Sequence, residues 1–500
     1  MTSLDDTGGH GVAAPPLFVD LDGTLVLGDT LQENAIVLLR HAPRRLLRGC
    51  LALLRRDRAA CKAILAAGLP AAHRFAVSPT VLERLVDEAA SGRRLVLATA
   101  ADTAIARRVS AAHPIFEDVI ASAGGENLTG VRKRRAIEAW LVQRDLPPVY
   151  DYLGNDRVDR PIWAGARRAL LAARPGTKPS RIAGDLAVAD VITQPQRRRS
   201  AALFKGARLR HWSKNLLVFL PILLSQSWTD GVALAAAGAA FLAFGLVASA
   251  TYFWNDLLDL AADRAHPDKR NRPFASGDLR PSEGLAASLL LIAAAVVVAL
   301  TTVGPVLLLL LAGYVVVTLA YSLALKRMAI IDVTTLAILH GYRILVGGVV
   351  TGIEVSDWLI AFSFFLFGGL AVAKRCAEFL RPTTGTDTGL PGRGYRSEDF
   401  PILRSIGIVA SLMSTVVMSI YIMAPETAAL YGEPRLLWPV VLVLFVWQAR
   451  VWLAIGRGNL QDDPIAWAMS DGFSLASAAV CVGLVVLASG APFLGAEGGP

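Results

Sequence analysis

Asn255-Asp256-Leu257-Leu258-Asp259-Leu260-Ala261-Ala262-Asp263 stands where a long apolar run ends, in a chain of 500 residues. Asp256, Asp259 and Asp263 are three and then four residues apart, which puts them on one helical face. Carboxylates at a membrane boundary are expensive unless they bind something positive. Mg2+ is the expected guest, because it takes oxygen ligands and completes its shell with water and substrate phosphates. Arg264, His266, Lys269, Arg270 and Arg272 follow in one short loop, within reach of phosphate oxygens. Acids for a metal beside bases for an anion predict a diphosphate site. A charged loop flanking a transmembrane helix explains the bases but not the spacing of the acids.

The stretch 255–277, Asn-Asp-x-x-Asp-x-x-x-Asp-Arg-x-His-Pro-x-Lys-Arg-x-Arg-Pro-x-x-Ser-Gly, resembles the first signature of the UbiA superfamily of intramembrane prenyltransferases. Its His-Pro-x-Lys-Arg-x-Arg-Pro portion, with Pro267 and Pro273, is most similar to the branch that moves phosphoribosyl from phosphoribosyl diphosphate to a polyprenyl phosphate. Other branches transfer a prenyl group from its diphosphate to an aromatic ring, and that reaction is the alternative. The resemblance implies Mg2+ held by Asp256, Asp259 and Asp263 as the catalytic acids. It also implies Asn255, Lys269, Arg270 and Arg272 as substrate ligands.

At 54% hydrophobic and 18% charged, the chain is too apolar for an ordinary soluble protein. The apolar mass lies beyond about residue 200, where several runs reach membrane-spanning length. The expected organisation is a soluble α/β domain over 1–195, a basic linker over 196–211 that includes Arg197, and an all-α polytopic membrane domain over 212–500. About nine spans are expected, over 212–228, 232–254, 285–304, 305–325, 330–351, 357–376, 402–423, 435–455 and 472–490. Lys and Arg cluster in alternate connections, which predicts a cytoplasmic soluble domain, cytoplasmic active sites and an external C-terminus. The expected setting is a multi-pass protein of the bacterial plasma membrane. The net charge of +9 collects at juxtamembrane ends, where lipid head groups and phosphates are nearer partners than nucleic acid. Cys50, Cys61, Cys376 and Cys481 show no paired spacing and read as small core residues. The Gly-rich, acidic start of the chain, 1–16, does not read as a cleaved signal peptide. Oligomeric state stays open, a homo-oligomer included.

A second cluster, Tyr321-Ser322-x-x-Leu325-Lys326-Arg327-x-x-x-x-Asp332, falls where the superfamily's second acidic motif is expected. That motif is usually two Asp four apart; here only Asp332 matches, so an all-carboxylate second metal site is not implied. The Tyr-Ser-x-x-Leu-Lys string resembles the phosphoribosyl branch, and a basic helix end with one incidental acid is the plain reading. Arg343, before Gly347-Gly348, lies inside an apolar run and should face the bundle interior. Lys374, Arg375 and Glu378 resemble a Lys-Arg-x-x-Glu element of that branch, and snorkelling cations are the alternative. Arg210-His211-Trp212-Ser213-Lys214-Asn215 resembles its entry motif, with Lys214 a candidate phosphate ligand. The segment carrying Asp462, Asp463 and Asp471 resembles its closing segment and reads equally as a loop cap.

In the N-terminal part, Leu17-Phe18-Val19-Asp20-Leu21-Asp22-Gly23-Thr24 is an apolar strand ending in two carboxylates two residues apart, which point the same way in extended chain. Asp-x-Asp-Gly-Thr resembles the first motif of haloacid-dehalogenase-type phosphatases, a Rossmann-like fold. The resemblance makes Asp20 the nucleophile and Asp22 the acid and base. Thr99, after Leu95-Val96-Leu97-Ala98, and Lys133 match the second and third motifs as phosphate ligands. Gly154-Asn155-Asp156-Arg157-Val158-Asp159 resembles the fourth, with Asn155 at an acid position. Asp20, Asp22, Asn155, Asp156 and Asp159 are the implied Mg2+ ligands there, the amide contributing no charge. Residues 28–80 read as a helical cap. The fusion suggests that this domain removes a phosphate from the lipid-linked product; an inactive or regulatory domain is the alternative.

Overall fold

The computed structural model describes residues 14–70, 73–123, 125–195, 198–266, 269–380, 389–390, 392–460 and 463–490. Arg197, Pro267, Asp462 and most of 1–16 lie outside them. The chain divides into two compact units, Met1–Ala207 with Tyr252–Ser288, and Arg208–Thr251 with Leu289–Pro500. The Asn255–Asp263 stretch therefore packs with the N-terminal part.

In the first unit, six parallel strands form one sheet: β1 Leu17–Val19, β2 Leu95–Asp102, β3 Asp118–Ser122, β4 Asp151–Gly154, β5 Arg168–Ala173 and β6 Val188–Thr193. Their order is β3-β2-β1-β4-β5-β6. The inner strands β1, β2, β4 and β5 are largely buried, as expected where helices cover both faces of a parallel sheet, whereas the edge strands β3 and β6 are more exposed. Leu17, Val19, Leu95, Leu97 and Leu153 pack on one side, while Phe18, Val96, Trp140, Tyr152 and Leu171 pack on the other. The order reverses between β1 and β4, and an open parallel sheet binds ligands beyond its strand ends at such a point. Asp20 follows β1, Thr99 lies in β2 and Asn155 follows β4, so three predicted motifs meet there.

The predicted cap contains the helices Thr30–His41, Pro43–Leu54 and Arg58–Ala66. The first starts beside the strand-end acids: Asp29 caps it by accepting from Gln32 N (3.0 Å), and Asp22 Oδ1 accepts from Thr30 N (2.7 Å).

Seven helices among the described residues are long and apolar enough to cross a membrane: Gly231–Leu258, Pro281–Thr302, Pro305–Arg327, Ile331–Thr351, Asp357–Phe379, Ser397–Met423 and Pro434–Gly456. Two predicted spans differ. Residues 212–228 form a 3-10 segment, Leu209–Phe219, and a short helix, Leu220–Leu224. Pro221 cannot donate to a continuing ladder, and the polar Ser213, Lys214 and Asn215 interrupt the apolar run. The last helix, Gly472–Ala488, has 17 residues, at the short limit for spanning.

Small residues let these helices approach closely. At Gly347 an added Cβ would lie 2.1 Å from the Val218 carbonyl oxygen, so only glycine admits the 3-10 segment against the Ile331–Thr351 helix. At Gly407, Trp452 covers the space, and its Nε1 donates to Ser411 Oγ (3.0 Å).

Candidate active sites

In the first unit, the Asn255–Asp263 stretch runs from the last turn of the Gly231–Leu258 helix into a short helix, Leu260–Ala265. Asp256 and Asp263 are buried. One guanidinium serves both: Arg272 Nη1 donates to Asp256 Oδ1 (3.0 Å) and to Asp263 Oδ2 (2.8 Å). Burial, only partly offset by Arg272, pushes the Asp263 carboxyl up to about 6. The predicted diphosphate ligand Arg272 thus sits among the acids, whereas Lys269 and Arg270 are exposed on the following turn. Asn255 Oδ1 is buried without a hydrogen-bond partner. An orphaned oxygen beside paired carboxylates suits a hard cation that brings its own charge. Among the described residues no three His, Cys, Asp or Glu side chains already converge as a metal cage. The acids are turned to arginines instead.

The same unit contains the phosphatase-like centre. Lys133 Nζ donates to Asp20 Oδ1 (2.6 Å) and to the Tyr152 hydroxyl (3.0 Å), which in turn donates to Asp159 Oδ1 (2.9 Å). Burial raises Asp20 to about 7 against the opposing pull of Lys133, and raises Asp22 to about 6, with Asp29 adding to it. For Lys133 burial acts downward, but the Asp20 and Asp159 carboxylates outweigh it and hold the ammonium above its ordinary range. Asp159 does not stand free as a ligand: its Oδ2 accepts from the backbone of Asn155 (3.0 Å) and Asp156 (3.1 Å), shaping the turn. Asn155 lies against the Asp20–Thr24 turn, its amide nitrogen 2.0 Å from where a Cβ on Gly23 would be. Thr99 is fully buried, its Oγ1 accepting from Ala101 N (3.0 Å). Sequence reasoning missed Tyr152 and also Lys62, a cap residue whose Nζ donates to the Ala100 carbonyl (2.5 Å) and Asn127 Oδ1 (2.7 Å).

In the second unit, Asp332 is fully buried and fully paired. It accepts from Arg375 Nε (2.5 Å) and Nη2 (3.1 Å), Tyr321 OH (2.8 Å) and Arg393 Nη1 (2.8 Å). The single acid of the second cluster therefore organises arginines. Lys326 is half-buried and Arg327 exposed. Arg343 faces the interior as predicted, with an amide and a phenol as partners: Nε donates to Asn215 Oδ1 (2.9 Å) and Nη2 to Tyr314 OH (3.1 Å).

Lys214 and Lys374 converge on Asp463, at 2.7 and 2.9 Å. They border a cavity of about 370 Å3 lined by Lys214, Leu217, Leu220, His340, Phe367 and Ile465, and a smaller one that adds Lys374 and Asp463. His340 Nδ1 donates to the Leu336 carbonyl (2.7 Å), which leaves Nε2 as a buried acceptor without a partner. Asp471 instead caps the last helix, accepting from Ser474 N (2.9 Å).

The UbiA prenyltransferase family model matches residues 216–478, and the haloacid dehalogenase-like hydrolase model matches 17–163. An uncharacterized protein, y4nM, from Sinorhizobium fredii is 34% identical over 91% of this chain and 87% of its own length, so the likeness runs through both halves. Decaprenyl-phosphate phosphoribosyltransferase from Mycobacterium tuberculosis is 34% identical over 38% of this chain and 64% of its own. A UbiA homologue from Archaeoglobus fulgidus, solved with DMAPP and Mg2+, is 14% identical with a TM-score of 0.43, covering 58% of this chain and 99% of that one. The chain belongs to the UbiA prenyltransferase family and carries a haloacid dehalogenase-like domain ahead of its membrane helices.

Proposed function

We propose that the membrane part transfers phosphoribosyl from phosphoribosyl diphosphate to a polyprenyl phosphate, and that the soluble domain dephosphorylates the lipid-linked product. The observation that carries the transfer reading is the Lys214–Asp463–Lys374 cluster beside an apolar cavity. Two ammonium groups at an oily recess suit a lipid whose head is a phosphate. An uncharged aromatic acceptor would not call for them. The donor's diphosphate belongs at Asp256, Asp259 and Asp263, which would hold Mg2+; that ion supplies charge neutralisation for the leaving group.

The chain's own residues do the rest. In the transfer, a lipid phosphate oxygen bonds to the anomeric carbon as the bond from that carbon to the diphosphate breaks. The nucleophile is already an anion, so positioning supplies most of the rate. Lys214 and Lys374 are the cations of the second unit suited to a lipid phosphate, and Arg272 and Arg264 those of the first unit suited to a diphosphate. In the phosphatase step, Asp20 attacks phosphorus while Asp22 protonates the leaving oxygen, and Lys133 screens the transferred phosphate. Both centres are placed on the cytoplasmic side of a bacterial plasma membrane, where the water-soluble donor is available.

The test is transfer of label from phosphoribosyl diphosphate into extractable lipid by purified protein with decaprenyl phosphate and Mg2+. Labelled lipid supports the reading. Product from a prenyl diphosphate and an aromatic acceptor, with none from this donor, replaces it by prenyl transfer. Retention of the 5-phosphate only in Asp20→Asn assigns the second step to the soluble domain.

A further inference from the structure

The cap reaches into the acidic loop. Arg40, in the last turn of the Thr30–His41 helix, donates Nη1 to the Leu258 carbonyl (3.1 Å) and pairs with the Asp259 carboxylate. The two side chains are 22% and 26% exposed, so the pair is open to a ligand from solvent. Two turns earlier on the same helical side, Glu33 is buried and shared between an imidazole and a guanidinium. His73 Nε2 lies 2.7 Å from its Oε1, and the Arg264 guanidinium forks onto it, with Nη2 2.9 Å from Oε2. Arg264 also donates to the carbonyls of Arg74 (2.6 Å) and Ala275 (3.2 Å), which fixes its plane. The backbones meet closely behind it. Gly277, at φ +79°, lies against Leu27, where an added Cβ would come within 2.6 Å of the leucine Cβ.

We propose that Arg40 is a diphosphate-binding residue of the transferase site, supplied by the soluble domain, and that Glu33 and His73 position Arg264 for the same anion. The proposal rests on reading the acidic loop as a diphosphate site. Without ligand, Arg40 neutralises Asp259. A diphosphate arriving there with its divalent cation offers the guanidinium a better partner, because its planar fork fits two phosphate oxygens at once, and the carboxylate is released to the cation. One charge-assisted pair is exchanged for another. Negative charge then grows on the leaving diphosphate, where a fixed guanidinium stabilises it. Arg264 is held by a buried carboxylate that also binds His73, so it keeps its place through this exchange. Sequence spacing gives no hint of either contact, because the partners are 219 and 231 residues apart.

The experiment is calorimetric titration of inorganic diphosphate with Mg2+ into the full-length protein in detergent, for the parent, Arg40→Ala, Arg40→Lys and Glu33→Gln. Arg40→Ala is expected to weaken binding by about tenfold or more, the scale of a charge-assisted contact. Arg40→Lys should recover part of it, and Glu33→Gln should give a smaller loss, with KM for polyprenyl phosphate unchanged throughout. Unaltered diphosphate affinity in an Arg40→Ala protein that unfolds at the parent's temperature overturns the proposal, as does a parent that binds no diphosphate. Where Arg40→Ala lowers that temperature, Arg40→Gln, which keeps a donor for the Leu258 carbonyl without the charge, decides by the same criterion. Inorganic diphosphate carries neither sugar nor prenyl group. Weakened binding therefore supports Arg40 whichever donor is used, while failure of phosphoribosyl diphosphate as donor overturns only the function proposed above.

Discussion

Asp463 accepts a hydrogen bond from Lys214 at 2.7 Å, across 249 residues of sequence. Burial acts to raise its carboxyl, but Lys374 and Lys214 outweigh that and hold it well below the usual carboxylate range. The carboxylate stands where a lipid phosphate would be wanted, as an internal anion that keeps two lysines together. Lys214→Ala is expected to raise KM for polyprenyl phosphate about tenfold to a hundredfold, the range for a hydrogen bond to a charged group, and to leave KM for the diphosphate donor within about twofold. Steady-state kinetics with each substrate varied in turn separates the two. Equal rises in both constants would argue for general damage.

Asp332 and Asp256 should respond oppositely. Asp332 is fully buried with two arginines on it, so Asp332→Asn leaves uncompensated charge and should destabilise the protein by about 3–5 kcal/mol. Asp256→Asn leaves Arg272 on Asp263, so its unfolding temperature should move little while transfer is abolished. Thermal unfolding in detergent beside the transfer assay checks both. Full turnover by Asp256→Asn would falsify the role of the acidic loop.

Asp22 gives the phosphatase step its pH dependence. Its carboxyl is raised to about 6 by burial and by Asp29, and it must be protonated to serve the leaving group. Asp20 must be ionised to attack, and burial raises it to about 7, so activity on a phosphomonoester should peak between about pH 6 and 7 and fall on the alkaline side, where Asp22 has lost its proton. Asp22→Asn should lose most of the rate and that descending limb together. A pH profile of kcat/KM for the two proteins is the measurement.

Glu33 tests the clasp on Arg264 by stability. Burial would raise its carboxyl, but Arg264 and His73 bring it below the ordinary 4.5. A depressed folded value means that the stabilisation is complete above the unfolded value and disappears as pH falls through the folded one. The gap in unfolding temperature between parent and Glu33→Gln should stay constant from about pH 8 to 5 and close below about pH 4. A gap that persists undiminished into stronger acid would rule out the ion pair as its source.

The parts legible in the sequence were those whose information is local. The strand-end acids Asp20 and Asp22, the buried strand before Thr99 and the spacing of Asp256, Asp259 and Asp263 each follow from a few consecutive residues, and the parallel sheet and apolar helices carry them. Residues 212–228 misled because apolar content alone met the length for a span, while Pro221 and the polar run from Ser213 to Asn215 set a 3-10 path instead. Arg40, Glu33, His73 and Arg393 were invisible for a different reason. Each is an ordinary polar residue whose meaning comes from a partner far along the chain, and no periodicity marks it. Asp463 reads in the sequence as part of a closing segment or as a loop cap, since nothing in its neighbourhood points to Lys214 or Lys374.

The Thr30–His41 helix begins at Asp22 and ends with Arg40 on Asp259. At about 1.5 Å per residue, roughly 15 Å of rigid rod joins the two acids. The fusion is then more than a tether. A chimera that pairs this membrane part with a relative's phosphatase would need that helix at its native length and phase, since one inserted residue turns Arg40 by about 100° away from the loop. Exchange between relatives should succeed only when the Thr30–His41 helix and the 255–277 loop travel together.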